Sequence, residues 1–274
     1  LHSPQQPLCQ TWAANLLGGG CIPFGENAIV AIAVYGGYNQ EDSVLLNESA
    51  LKRGMYKTSY YHSYDEGESI IDPAAQTHTM IANPATDPKY RETVSRKDGK
   101  NYDNLDSEGI IKAGAEVTPN TILVGILTPK TNSAAQVVGF IDSSILPKRG
   151  QHGIVDSVYR YTTSEGLRGV KIRIVEVRDP VLGDKFGSRH GQKGTVGLRI
   201  PEEDMPVTKD GLRPDIIINP HALPSRMTIG QFLEGMSSKL AVELGTIVDG
   251  TAFSTQQRIG DTKEALIQLG YHPY

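Results

Sequence analysis

Gly183-Asp-Lys-Phe-Gly-Ser-Arg-His-Gly-Gln-Lys-Gly194 interleaves four glycines with Lys185, Arg189, His190 and Lys193. Glycine lets a backbone take positive φ and approach a ligand closely, while three fixed cations and an imidazole suit phosphate oxygens. The stretch reads as a grip for a polyanion. It is not the Walker pattern, because Gly194 stands where that pattern needs a hydroxyl. The cations recur every four residues, as a helix would align them, but Gly187, Gly191 and Gly194 oppose a helix. The expected conformation is a loop feeding a strand over residues 193–200.

Working outward, Ala28-Ile-Val-Ala-Ile-Ala-Val34 is apolar on both faces and predicts an interior strand ending near Tyr35. Gly36-Gly-Tyr-Asn39 breaks it, and Val44-Leu-Leu46 resumes before a short helix with Asn47 as N-cap and Gly54 past its end. Glu41 and Asp42 then lie on a tight connection at a strand end. Between Tyr56 and Arg178 the chain alternates Asp- and Pro-rich stretches with short strand-like runs, 122–127 and 154–161 among them. Val170, Ile172 and Ile174 share one parity and Val175 and Val177 the other, which predicts a bulge near Val175. In the last third, residues 215–219 read as a strand, and Glu202-Glu-Asp-Met-Pro206 as a loop. A helix is predicted from Ile229, with Thr228 and Gln231 at capping-box spacing. Its apolar face is Ile229, Phe232, Leu233, Met236, Leu240 and Leu244, and Gly245 ends it. A second short helix is expected over 263–269, bracketed by Asp261 or Thr262 and Gly270. The fold class is mainly β with a few helices (α+β), a core interrupted by an inserted β-rich module.

At 274 residues the chain can hold two domains or one barrel with an insertion. Its net charge of −4 hides a division: residues 1–147 carry 10 basic and 16 acidic side chains, 148–199 carry 11 and 5, and 200–274 carry 6 and 10. A basic block between acidic flanks focuses positive potential on one surface, as a phosphate backbone would need. Cys9 and Cys21 have no partner pair and no His at zinc spacing, so free thiols are expected, with neither disulfide nor zinc. No apolar run reaches membrane-spanning length and the first residues lack signal-peptide character, which places the expectation inside the cell. The lack of an initiating Met and the abrupt end suggest a piece of a longer polypeptide.

Four further residues invite chemistry. Glu41 and Asp42 supply adjacent hard oxygens that suit magnesium carried on a nucleotide triphosphate; helix N-terminal charge or solvation suits them too. Arg226, two residues ahead of the expected N-cap, would add a cation to a phosphate site or serve as a cap. His190 can donate a hydrogen bond or be held structurally by backbone. No nucleophile elbow and no H-E-x-x-H string is present, so a hydrolytic triad is not expected.

Asn27-Ala-Ile-Val-Ala-Ile-Ala33, Gly37-Tyr-Asn-Gln-Glu-Asp-Ser43, the 183–194 stretch, Glu203-Asp-Met-Pro206, Pro214-Asp-Ile-Ile-Ile-Asn-Pro-His221 and Pro224-Ser-Arg-Met-Thr228 occur in that order. Together they resemble the second-largest subunit of multisubunit DNA-dependent RNA polymerases. Gln40 and Phe186 suit its eukaryotic, archaeal and large-virus versions. The resemblance is close over 1–57 and 180–274 and mainly positional between them. It implies a hybrid-binding domain built on a double-psi β-barrel, in parts 1–57 and 180–274, interrupted over 58–179 by the wall or flap bounding the RNA–DNA hybrid. Lys185 and Lys193 would lie near the RNA 3′ end and incoming nucleotide, with Arg226 on the triphosphate. Glu41 and Asp42 would lie by the second, nucleotide-borne Mg2+, and Arg189, His190 and Gln192 would face substrate or nucleic acid. The family's catalytic magnesium sits on an Asn-Ala-Asp-Phe-Asp-Gly-Asp string of the largest subunit, which is absent here. This chain would therefore supply half a site, sharing Mg2+ with that partner, in an assembly with other subunits, template DNA, nascent RNA and NTP, in nucleus, cytoplasm or virion. Two other readings fit the motifs: a non-catalytic nucleic-acid-binding module, and a fragment of a single-chain two-barrel polymerase.

Overall fold

Val44, Leu45 and Leu46 are all buried because their strand, Ser43–Asn47, is the middle one of five and both its faces are covered. In the computed structural model, which describes residues 1–18, 22–72, 77–132, 136–253 and 259–272, the sheet order is Lys185–Gly187, Lys193–Ile200, Ser43–Asn47, Ile216–Ile218 and Val30–Ile32. The central strand runs parallel to Lys193–Ile200 and antiparallel to Ile216–Ile218. One face packs Val44 and Leu46 with Leu51, Val196 and Ile216; the other packs Leu45 with Ile200, Met205 and Ile217. Strands account for 33% of the described residues and helices for 17%, so the protein is mainly β with few helices. Two compact units are formed, Leu1–Thr58 with Arg178–Tyr274, and Ser59–Val177.

The expected interior strand over 28–35 is corrected. Only Val30–Ile32 is extended, and it lies at the sheet edge with Ile216–Ile218 as its neighbour. An edge strand lacks a second flanking strand, and Val30 and Ile32 are left 45% and 42% exposed while Ala31 packs inward.

The helices follow local rules in part. Asn47 caps Glu48–Lys52, its Oδ1 accepting from the backbone N–H of Ser49 (3.0 Å) and Ala50 (3.4 Å), and Gly54 follows at φ 100°. A five-residue helix, Ala222–Arg226, was not foreseen; Met227 ends it in the left-handed region at φ 52°. Ile229–Leu244 begins and ends as expected, closed by left-handed Gly245. Its capping box does not form: the Thr228 side chain makes no cap bond, and its hydroxyl oxygen accepts from Gln192 instead. Nor is its apolar face a core, since of this helix only Ala241 is buried and Ile229 and Leu244 are about 60% exposed. The last helix, Ile259–Gln268, starts four residues earlier than expected, and Gly270 follows it. Glu202–Asp204, expected as loop, makes a single 3-10 turn.

In the second unit, strands Thr58–Gly67, Arg168–Arg178, Gly153–Thr162 and Glu116–Val117 form a sheet in that order. Val170, Ile172 and Ile174 bury one face against Tyr64, Val155, Ile111 and Ile122–Val124. The bulge lies on the facing strand rather than at Val175. Val155 pairs with Ile174 and Ser157 with Arg173, so Asp156 is the extra residue, and Val177 stays exposed. The run expected over 122–127 is extended only as Ile126–Thr131, in a second sheet with Val137–Asp142 and Met80–Ile81. Among the described residues no helix is long and apolar enough to cross a membrane. Cys9 is a half-buried free thiol, and Cys21 lies outside the described residues.

Candidate functional site

The cationic glycine stretch is a β-hairpin. Lys185 pairs with Thr195, Phe186 with Gly194 and Gly187 with Lys193, leaving residues 188–192 as the tip. Side chains alternate across a strand, so one face of the hairpin carries Phe186 and the other both lysines. Phe186 meets Tyr56 with ring centroids 4.8 Å apart and joins the core of Val44, Leu46 and Val196. Burial, reinforced by Glu26 and Asp215, pushes the Tyr56 phenol well up, so it stays neutral beneath the hairpin. Lys185 and Lys193 are exposed, and among the described residues neither ammonium group has a partner.

Gly194 fixes the distance between hairpin and acidic turn. A Cβ at that position would stand 2.8 Å from the Asp42 carbonyl oxygen and 2.8 Å from the Val44 side chain. The glycine lets the Thr195 N–H donate to the Asp42 carbonyl at 2.9 Å. Glu41 and Asp42 themselves sit in the left-handed region, at φ 46° and 67°. Consecutive non-glycine residues there are uncommon and cost about 1–2 kcal/mol each. The strain turns the chain sharply into the Ser43–Asn47 strand and presents both carboxylates at its start.

Arg226 brings the turn and the hairpin tip together. One guanidinium amino group pairs with the Asp42 carboxylate, and the other donates to Gln192 Oε1 at 2.6 Å. Gln192 Nε2 in turn donates to Thr228 Oγ1 at 2.6 Å and to the Ala222 carbonyl at 3.3 Å. Residues 42, 192 and 226 thus form one polar network. The other candidates at the tip are turned away from it, toward the long helix. Arg189 pairs with Glu234 and donates to the Cys9 carbonyl at 2.5 Å, while His190 Nε2 bonds the same Glu234 carboxylate at 2.6 Å. Glu234 carries no local signal in the sequence, and its role appears only when residues 44–45 positions apart meet.

A cavity of ≈ 490 Å³ opens beside the acidic pair, lined by Glu41, Asp42, Val34, Asn219, His221 and Ser225 among others. The Asn219-Pro-His221 turn, to which the sequence assigned no chemistry, borders it. The Asn219 Oδ1 accepts the backbone N–H of His221 at 2.8 Å, which fixes the amide orientation. The ring Nδ1, 2.9 Å from the same oxygen, must then carry a proton. Among the described residues no group of three or more His, Cys, Asp or Glu is gathered to hold a metal. Two adjacent carboxylates, one already shared with an arginine, fit an ion that arrives with most of its ligands rather than one caged by protein.

Residues 1–274 match a family described as RNA polymerase Rpb2, domain 6. Among similar proteins, the DNA-directed RNA polymerase II subunit 2 of Arabidopsis thaliana is 41% identical over 99% of this chain and 22% of its own length. DNA-directed RNA polymerase subunit Rpo2 of Saccharolobus solfataricus is 40% identical over 100% of this chain and 24% of its own. The DNA-directed RNA polymerase II subunit RPB2 of Encephalitozoon cuniculi is 41% identical over 93% and 22%. The chain spans under a quarter of the length of these relatives. A match along the whole chain, at about 40% identity to eukaryotic and archaeal proteins alike, means that it belongs to the RNA polymerase Rpb2, domain 6 family.

Proposed function

We propose that this chain is the part of a DNA-directed RNA polymerase second subunit that holds the RNA–DNA hybrid and positions the incoming NTP with its Mg2+. The unit of residues 1–58 and 178–274 would be the hybrid-binding domain, with its mixed five-stranded sheet belonging to a double-psi β-barrel. The 59–177 unit would be the wall. The observation that carries this reading is the meeting of Asp42, Gln192 and Arg226 in one network, beside an exposed lysine pair and a cavity bordered by Glu41.

Lys185 and Lys193 supply mobile point charges toward phosphate oxygens of RNA and nucleotide, and Arg226 supplies a planar donor able to grip phosphate bidentately. Glu41 and Asp42 would hold the nucleotide-borne Mg2+, whose chemistry is to neutralise charge on the leaving pyrophosphate. The residues of this chain bind and orient; bond formation requires the largest subunit, with its own carboxylates. Arg189 and His190, engaged with Glu234, would serve nucleic acid by holding the hairpin tip in place.

The test is single-nucleotide addition by the intact polymerase carrying Lys185→Ala, Lys193→Ala or Arg226→Ala. Each is expected to lower kcat/KM for NTP by about 100- to 1000-fold, the size of effect seen when one preorganised donor to developing negative charge is removed. Wild-type extension in all three would refute the assignment.

A further inference from the structure

We propose that Gln192 is a positioning residue: the fixed pivot on which Arg226 turns as it exchanges the Asp42 carboxylate for a phosphate of the incoming nucleotide. This rests on the phosphate site proposed above and departs from the expectation that Gln192 itself touches substrate.

The chemistry of the partners fixes the amide. Arginine only donates, so the oxygen of Gln192 must face Arg226 Nη1, 2.6 Å away. The nitrogen then faces Thr228 Oγ1 at 2.6 Å and the Ala222 carbonyl at 3.3 Å, both acceptors. Every strong bond of this amide is therefore made within the protein, and Gln192 is half-buried. The amide ties the hairpin tip to both ends of the Ala222–Arg226 helix region: to Ala222 at its start, Arg226 at its end and Thr228 just beyond.

The two bonds of the guanidinium differ in kind. Its contact with Asp42 is an ion pair, with both side chains a third or more exposed. A magnesium-bearing polyphosphate offers each member of that pair a substitute, a cation for Asp42 and an anion for Arg226, so the pair can part with both charges still compensated. The acceptor at Gln192 is instead an uncharged amide oxygen. No charge on the ligand competes for it, and this bond can persist while Nη2 swings from carboxylate to phosphate. Arginine keeps its planar fork aimed only if one edge is held. Lys193 follows Gln192 directly, so the same bond keeps the lysine strand and the arginine in register.

The test is a double-mutant cycle in the intact polymerase assembled on the full-length subunit, reading kcat and KM for magnesium-bound NTP. Gln192→Met keeps the length of the side chain and removes all three bonds of the amide. It should raise KM on the order of ten-fold, with a smaller fall in kcat, and by less than about two-fold when Arg226 is already alanine, since contacting residues in one network are non-additive. Thr228→Val, which removes the far end of the relay, should shift KM in the same direction by a smaller factor and answers the question if Gln192→Met fails to assemble. An equal KM rise from Gln192→Met with and without Arg226 would overturn the pivot role, because Gln192 would then act on the ligand itself. No effect of Thr228→Val or Gln192→Met, with Arg226→Ala still impaired, would overturn it too. Full activity of Arg226→Ala would remove the phosphate site and the pivot with it.

Discussion

Gly194 is the residue whose identity the site can least surrender. Its missing Cβ would fall against backbone, the Asp42 carbonyl, as well as the Val44 side chain, and a carbonyl held at 2.9 Å by Thr195 cannot rotate away cheaply. Gly194→Ala should destabilise the intact subunit by about 1–3 kcal/mol in urea unfolding, the usual cost of forced overpacking. Asp42 separates charge from conformation. Asn tolerates left-handed φ at least as well as Asp, so Asp42→Asn should unfold at nearly the wild-type midpoint while losing the charge that pairs with Arg226 and that the proposed function directs toward Mg2+. Asp42→Val, a β-branched residue at φ 67°, should cost about 1–2 kcal/mol more than Asn. Equal midpoints for the two variants would show that the turn relaxes and carries no strain.

At the scale of elements, two helix starts that look alike in sequence behave differently. Asn47 is 2% exposed, caps two N–H groups and donates to the Pro214 carbonyl at 3.3 Å, so Asn47→Ala should cost about 1–2 kcal/mol. Thr228 makes no cap bond, and Thr228→Ala should leave the amide protection of Ile229–Leu244 nearly unchanged by hydrogen exchange. Local signals were legible where a single residue or its neighbours decide the outcome: the Lys193–Ile200 strand, the Asn47 cap and the Gly245 stop. They failed where a distant group intervened. Gln192 donates to the Thr228 hydroxyl, Glu234 takes up Arg189 and His190, and the bulge belongs to Asp156, whose carboxylate meets Arg173 at 2.6 Å. The apolar stripe of the long helix was legible as a stripe, but periodicity reports which side is apolar and not what covers it. For the same reason Asp42 and Arg226 could be marked as candidates, while the third member of their network, an uncharged glutamine, could not be given its role.

Over the whole molecule, the basic block of residues 148–199 divides between the two units. Within the second unit Arg160 meets Asp106 and Glu108, Arg168 meets Glu68, Lys171 approaches Asp65 and Arg173 meets Asp156. Among the described residues, Lys185 and Lys193 of the first unit have no such carboxylate, nor do Lys148 and Arg149 of the second, and Arg199 reaches only the Pro180 carbonyl, so composition located the charge but not where it stays uncompensated. The same pairing gives the second unit its own acid response. Burial would raise the Asp142 carboxyl, but hydrogen bonds from Ser144, Tyr102 and the Lys97 N–H outweigh it and hold it low. Burial acts likewise on Glu68 and is outweighed by the Arg168 side chain and the N–H groups of Ile81 and Arg168. A carboxyl whose folded pKa is depressed contributes stability that is complete above its unfolded value, near 4, and is lost as pH falls through the folded one. The second unit should therefore weaken as pH drops from about 5 toward 3. Asp142→Asn removes one titrating group and leaves an imperfect acceptor set in the core, so it should lower stability at pH 7 by about 1–3 kcal/mol and flatten the acid slope. Urea midpoints across that range, with exchange of the Ile126–Thr131 amides to locate the loss, would measure both; a slope as steep in Asp142→Asn as in wild type would assign the acid response to other carboxylates.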